Sequence, residues 1–142
     1  MKVQIKKLVP EAVIPSYSKA GDAGLDLTAV SEKHVDESSY GYVEYGTGLA
    51  IKIPEGYVGL IFPRSSISNQ GLILANSVGV VDSGYLGEIK LRFKYIANTN
   101  KYAIGDRVGQ LIIMPYPSIE FEEVADLGTS ERGEGGFGST NN

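Results

Sequence analysis

The sequence predicts an all-β chain, a sandwich, barrel or jelly roll of short strands with one short helix and a flexible C-terminal arm. Three observations carry this. Short apolar stretches recur along the chain with period-two alternation, about eight to twelve of them. Gly and Pro separate them at close spacing, with 18 Gly and 6 Pro in 142 residues. Only one brief segment, Arg64 to Gln70, has the composition of a helix.

Val3 to Leu8 alternates weakly and reads as a strand. Pro10 and Pro15 punctuate an extended connection, because each fixes φ and removes a donor. Ala20-Gly-Asp-Ala-Gly-Leu-Asp-Leu27 places two glycines in a turn that leads into a strand. Residues 31–41 are polar and read as a loop or weak hairpin, with His34 exposed on it. Tyr40 to Tyr45 and Thr47 to Ile53 read as two strands, and Pro54-Glu55-Gly56 as a type I or II turn. Tyr57 to Phe62 is apolar on both faces, as in a buried central strand, and Pro63 ends it. In Arg64-Ser-Ser-Ile-Ser-Asn-Gln70 a serine is placed to cap a short helix. Gly71 to Ala75 resumes strand character.

From Asn76 to Glu88 an apolar run (Val78, Val80, Val81) stops at Asp82, and Asp82-Ser-Gly reads as a turn. Ile89, Leu91, Phe93 and Tyr95 then alternate with Lys90, Arg92 and Lys94. The whole stretch reads as a β-hairpin with a carboxylate at its tip and Tyr85 three residues on. Asn98 to Tyr102 is a polar turn region. Arg107 to Met114 is a strand closed by Pro115 and Pro117, and Ile119 to Val124 alternates once more as a last strand. No repeat or linker divides the chain. Residues 1–124 form one β domain, and 125–142, rich in Gly with little to bury, form a mobile arm.

Composition narrows the chemistry. A net charge of -4 and a pI near 5.0 argue against a general nucleic-acid or membrane-surface binder. There is no Cys, so thiolate nucleophiles, disulfides and Cys-ligated zinc are excluded. With one His, catalysis must rest on Asp, Glu, Tyr, Ser, Lys, Arg, backbone amides or a borrowed cation. The N-terminus has no apolar signal core and no run approaches membrane-spanning length, so the expected location is cytoplasmic.

Several constellations can bind anions. Gly133-x-Gly135-x-x-Gly138 matches a dinucleotide fingerprint only formally, because the chain ends four residues later with no helix to follow. Its amides can still approach phosphate closely, Arg132, Ser139 and Thr140 add donors, and Phe137 can stack on a base. Pro63-Arg64-Ser65-Ser66 is a second donor cluster. Gln110, in phase with Val108 and Ile112 on an apolar strand, must be hydrogen-bonded, either within the protein or to a ligand. Asp22 and Asp26 lie beside glycines and suit a turn or a hydrated cation, while Asp106 reads as a turn former. No carboxylate pair has metal-cage spacing, so a magnesium ion fits best when carried on a polyphosphate.

Five segments, in this order, resemble the trimeric dUTP pyrophosphatase (dUTPase) family. They are Ala20 to Leu27, Pro63-Arg-Ser-Ser66 through Gly71, Asn76-x-x-Gly79-Val-Val-Asp82-x-x-Tyr85-x-Gly87, Gly105-Asp-Arg-Val-Gly-Gln110, and Arg132-Gly-x-Gly-Gly-Phe-Gly-Ser-Thr140. The resemblance implies a jelly-roll-like β-fold, a homotrimer with three shared active sites, and Mg²⁺-dependent hydrolysis of dUTP to dUMP and pyrophosphate. That reaction limits uracil incorporation into DNA and supplies dUMP for dTMP synthesis. By the same resemblance Asp82 activates the attacking water and Tyr85 packs under the sugar, leaving no room for a 2′-hydroxyl. The backbone around Gly79 and Val80 reads uracil, with Asn76 beside it. Arg64, Ser65, Ser66 and Gln110 hold phosphates. The arm closes with Phe137 on uracil and Arg132, Ser139 and Thr140 on phosphates. No direct protein ligand to the metal is implied, and Asp26 is linked to it through water. Gly84, Leu86 and Ser66 depart from the family's usual residues, which bears on the local geometry rather than on the reaction class. Two rivals remain: a dCTP deaminase-type relative, which would need a Glu beside the base, and a nucleotide-sensing β-protein without turnover.

Overall fold

A computed structural model describes residues 1–35, 41–98 and 100–138. Among these, nine strands and one 3-10 turn follow in order: β1 Gln4–Lys7, β2 Leu25–Thr28, β3 Ser31–Val35, β4 Tyr42–Lys52, β5 Tyr57–Phe62, the turn Ser65–Asn69, β6 Leu72–Leu74, β7 Gly79–Val81, β8 Glu88–Tyr95 and β9 Arg107–Pro115. All pairings are antiparallel. One sheet runs β1-β4-β8-β6, and β3 pairs with β4 beyond β1 on the same edge; the other runs β2-β9-β5-β7. The all-β expectation holds, and inward faces of both sheets supply the core.

Strict alternation places Ile89, Leu91 and Phe93 of β8 inside at 1%, 2% and 0% exposure, while Lys90 and Arg92 face out. Tyr95 breaks the pattern: at the strand's end it is 38% exposed and stacks on His34. Phe93 packs with Tyr45 and Tyr102 at centroid distances of 5.8 and 5.8 Å, and the Tyr45 and Tyr102 rings are 6.1 Å apart. These tilted contacts suit the ring quadrupoles. Burial pushes the Tyr45 phenol well above its ordinary value, with the Glu32 charge adding to the effect. Tyr45 thus stays a neutral donor, to the Tyr102 carbonyl at 2.8 Å.

Four local expectations need correction, and one alternative is decided. The two strands foreseen over residues 40–53 are one, β4, whose ladder with β8 shifts register between Gly46 and Ala50. The irregularity holds because buried Thr47 donates to the Ile89 carbonyl at 2.7 Å and Gly48 takes φ +66, where a Cβ would lie 2.6 Å from Val9 Cγ2. Of the two readings of residues 31–41 the paired one holds over 31–35 and the loop does not: His34 stands, exposed, on β3, which pairs antiparallel with β4, and its ring nitrogens meet Tyr95 Oη and the Glu32 carboxylate. No serine caps the 3-10 turn: Arg64 occupies that position, without a side-chain cap bond. Residues 119–124 form no strand. Alternation specifies a half-buried strand only where a partner edge exists, and Phe121 is 92% exposed.

The last correction concerns Asp82. β7 and β8 do not pair with each other: β7 joins β5 in one sheet, and β8 lies between β4 and β6 in the other. The turn is present, with Tyr85 N donating to Asp82 O at 3.0 Å, but it carries the chain between sheets. Alternation on both sides of a turn cannot distinguish a hairpin from a sheet-to-sheet crossing.

Candidate active site

Register builds the first group of site residues. Asp26 on β2 lies opposite Gln110 on β9, and Gln110 lies opposite Phe62 at the end of β5. The chain leaving β5 therefore delivers Pro63 and Arg64 beside them. Arg64 Nε donates to Asp26 Oδ1 at 2.8 Å, and a terminal nitrogen of Arg107 donates to Asp26 Oδ2 at 2.9 Å. Gln110 Nε2 donates to the Pro63 carbonyl at 3.0 Å. Gly24 makes room for that amide, since a Cβ there would lie 2.1 Å from Gln110 Oε1. One carboxylate between two guanidiniums leaves a local positive excess suited to a polyanion, despite the acidic chain. Because Arg64 uses Nε, its two terminal amino groups remain to donate elsewhere as a fork. In the turn that follows, Ser66 Oγ is buried without a hydrogen-bond partner among the described residues, and Ser65 is exposed. A buried hydroxyl of this kind calls for an acceptor.

The second group lines a cleft of about 520 Å³, the volume range of small-molecule sites. Its walls include Asn76, Gly79, Val80 and Tyr85, together with Glu44, Lys90 and Arg92. At its rim the chain turns sharply: Val78 N donates to Asn76 O at 2.6 Å around Ser77, whose φ is 60. This is a γ-turn of the rare positive-φ kind, a strain of about 1–3 kcal/mol that the surrounding strands must hold. Tyr85 Oη donates to the Glu88 carbonyl at 2.9 Å. The ring passes over Gly87, where a Cβ would lie 2.6 Å from that oxygen. Asp82, next after the wall residue Val81, is exposed. Glu44 accepts from Arg92 Nε at 2.7 Å and from Lys90 Nζ at 3.3 Å. Burial pushes its carboxyl up, but the two hydrogen bonds and the adjacent charges outweigh this and hold it below its ordinary value.

Comparison with known proteins identifies the family. The family model for dUTPase matches residues 10–141. The chain belongs to the dUTPase family. It is 40% identical over 146 residues to the deoxyuridine 5'-triphosphate nucleotidohydrolase of Thermobifida fusca, covering 99% of this chain and 79% of that protein. The corresponding protein of Finegoldia magna is 42% identical over 130 residues, covering 89% and 90%. Among solved structures, the Staphylococcus bacteriophage 80alpha dUTPase G164S mutant with dUpNHpp superposes with a TM-score of 0.81 at 27% identity, over 98% of each chain.

The residues assigned from the dUTPase resemblance thus fall into two sets. Arg64, Gln110 and Asp26 come together, with Ser66 nearby in sequence. Asn76, Gly79, Val80 and Tyr85 share the cleft, with Asp82 next to its wall. The cleft's lining contains none of the first set. Over its described residues, to 138, the arm joins neither: Arg132 Nε donates to the Gly135 carbonyl at 3.0 Å, and Phe137 is fully exposed with φ 53. Ser139 and Thr140 lie outside the described residues. Asp22 and Asp106 each hold a turn, accepting from Lys19 N at 2.9 Å and Ala103 N at 2.8 Å. Sequence reasoning missed Arg107, Glu44, Lys90 and Arg92. The last two were legible as the outward face of β8. Arg107 carried no signal beyond its place in the Gly105-to-Gln110 segment.

Proposed function

We propose that this chain hydrolyses dUTP to dUMP and pyrophosphate, with its active sites shared between the subunits of a homotrimer. The observation that carries the reading is the exposed Asp82, next in sequence to the wall residue Val81, at a nucleoside-sized cleft walled also by Asn76, Gly79, Val80 and Tyr85. Uracil is read by the backbone and Asn76, a form of recognition that rejects other bases by leaving buried polar groups unpaired. Tyr85 lies under the deoxyribose. Asp82 orients a water and takes its proton as the water oxygen bonds to the α-phosphorus. The bond from that phosphorus to the α–β bridging oxygen breaks, and pyrophosphate leaves with the oxygen. Arg64, Ser65, Ser66 and Gln110 hold the phosphates, and charge stabilisation rather than covalent chemistry carries the rate.

The separation of the two sets within one chain supports the trimer: the cleft of one subunit is completed by the phosphate cluster of another. Residues 125–142 then close the site, with Phe137 on the base and Arg132, Ser139 and Thr140 on the phosphates. Mg²⁺ fits the donor set as an ion carried by the polyphosphate. Among the described residues no three His, Asp or Glu side chains converge, and both Asp26 oxygens face guanidiniums, so Asp26 would reach the ion only through water. When bound, the ion supplies charge neutralisation along the triphosphate. The reaction limits uracil incorporation into DNA and supplies dUMP, and a cytoplasmic site of action fits it. No helix among the described residues is long and apolar enough to cross a membrane.

Incubation with dUTP, dCTP and dTTP plus Mg²⁺, with pyrophosphate and ammonia both measured, tests the reading. The expected result is pyrophosphate from dUTP alone and no ammonia. Ammonia from dCTP would replace the reading with a deaminase. Nucleotide binding with no product would replace it with a sensor.

A further inference from the structure

We propose that Arg107 is a positioning residue for phosphate recognition: by holding one oxygen of Asp26, it fixes the carboxylate that orients Arg64. The inference rests on the dUTPase reading and names a residue that reading leaves without a role.

Among the described residues, Asp26 links the two arginines. Its oxygens are divided, Oδ1 to Arg64 Nε at 2.8 Å and Oδ2 to Arg107 at 2.9 Å. A carboxylate held at one oxygen can still rotate about its terminal torsion, which is broad. Held at both, it presents Oδ1 in one place, and the Arg64 guanidinium is aligned along its Nε edge. Placement of a phosphate donor to within an ångström is worth a large factor in rate.

The backbone delivering Arg107 is anchored to β2, so its reach to Asp26 is built into the fold. Gly105 N donates to Ala29 O at 2.8 Å and Ala29 N to Asp106 O at 2.9 Å. Asp106 closes the turn from within through Ala103 N. Gly105 takes φ +95, which favours glycine. The β2–β9 ladder then shifts register between Leu27 and Thr28, pairing Arg107 with Thr28. Arg107 itself is 53% exposed, against 26% for Arg64 and 20% for Asp26. An exposed ion pair adds little to folding stability. Its removal should therefore register in phosphate recognition before it registers in melting.

A double-mutant cycle on the full chain tests this. Wild type, Arg107→Ala, Arg64→Ala and the double variant are compared for kcat and KM on dUTP, for inhibition by deoxyuridine, and for melting temperature. Wild-type turnover of dUTP is the first measurement, and its absence would overturn the dUTPase reading rather than this one. With turnover present, Arg107→Ala should lower kcat/KM roughly tenfold or more. It should leave inhibition by deoxyuridine, which has no phosphate, unchanged. In the Arg64→Ala background the Arg107 substitution should have no further effect. Arg107→Lys, which keeps a cation for Oδ2, should recover part of the loss. It also carries the comparison against Arg107→Gln if the alanine variant fails to fold. Additive losses from the two alanine substitutions would show that Arg107 meets the phosphates itself and overturn the positioning role. An Arg107 variant with full activity, or one whose losses with dUTP and deoxyuridine are equal, would overturn it as well.

Discussion

Gly87→Ala is the most local test of how the cleft is shaped. A Cβ at residue 87 would lie 2.6 Å from Tyr85 Oη, 2.7 Å from Cζ and 3.0 Å from Cε2, where ordinary contact begins at 3.4 Å. The hydroxyl must move by at least 0.8 Å, the difference between 3.4 and 2.6 Å. Such a move breaks its 2.9 Å bond to the Glu88 carbonyl. Losing one such bond costs about 1 kcal/mol, roughly a fivefold change in an equilibrium. With Tyr85 under the deoxyribose as proposed, a ring displaced by that much would no longer close the space beside C2′ of the sugar. The expected outcome is a fall in kcat/KM for dUTP of about fivefold or more and a fall in dUTP-over-UTP preference of similar size. Gly84→Ala is the internal control, because a Cβ there meets nothing within 4 Å and its φ lies outside the left-handed region. Both variants are assayed with dUTP and UTP in parallel. An unchanged preference in Gly87→Ala would refute the placing of Tyr85 against the sugar, and an equal effect in Gly84→Ala would refute the steric basis.

Asp82→Asn keeps the turn's shape and should retain binding of a non-hydrolysable dUTP analogue while losing turnover by about 10²–10⁴-fold; near-normal turnover would remove Asp82 from the chemistry. A chain ending after Leu127 should keep its melting transition, because the core residues all precede residue 116, and should lose most activity; full activity would refute the closing arm. Glu44 has a depressed folded-state pKa, so its contribution to stability is fully present above the ordinary value of 4.5 and is lost as pH falls through the lower folded value. Glu44→Gln should therefore melt below wild type at neutral pH, by up to about 1 kcal/mol given its exposed partners, and converge with it in acid. A gap that widens on acidification would contradict the sign.

Where a residue's neighbours along the chain determine its structure, the fold was legible in advance. The period-two pattern of β8 put Ile89, Leu91 and Phe93 inside, and Asp106 was read correctly as a turn former. What depends on partners distant in sequence was not legible. Thr47 and the Ile89 carbonyl, 42 residues apart, hold the irregularity that joins two expected strands into one. The sheet that receives β7 is set by Gly59, Leu60 and Ile61 on β5, not by the turn at Asp82. The same division applies to the site. Asp82, Arg64 and Gln110 were singled out through their motifs, but the Asp26 bridge spans 81 residues to Arg107 and appears only once β2 and β9 are in register. Residues 119–124 show the converse: alternation is present, and the partner that would make it a strand is not within the described chain.

Hydrolysis of dUTP in ¹⁸O-labelled water, with dUMP and pyrophosphate separated and weighed by mass spectrometry, tests the central claim most directly. Attack by an Asp82-activated water at the α-phosphorus predicts the label in dUMP and none in pyrophosphate. Label in pyrophosphate, or release of dUDP and inorganic phosphate, would contradict it.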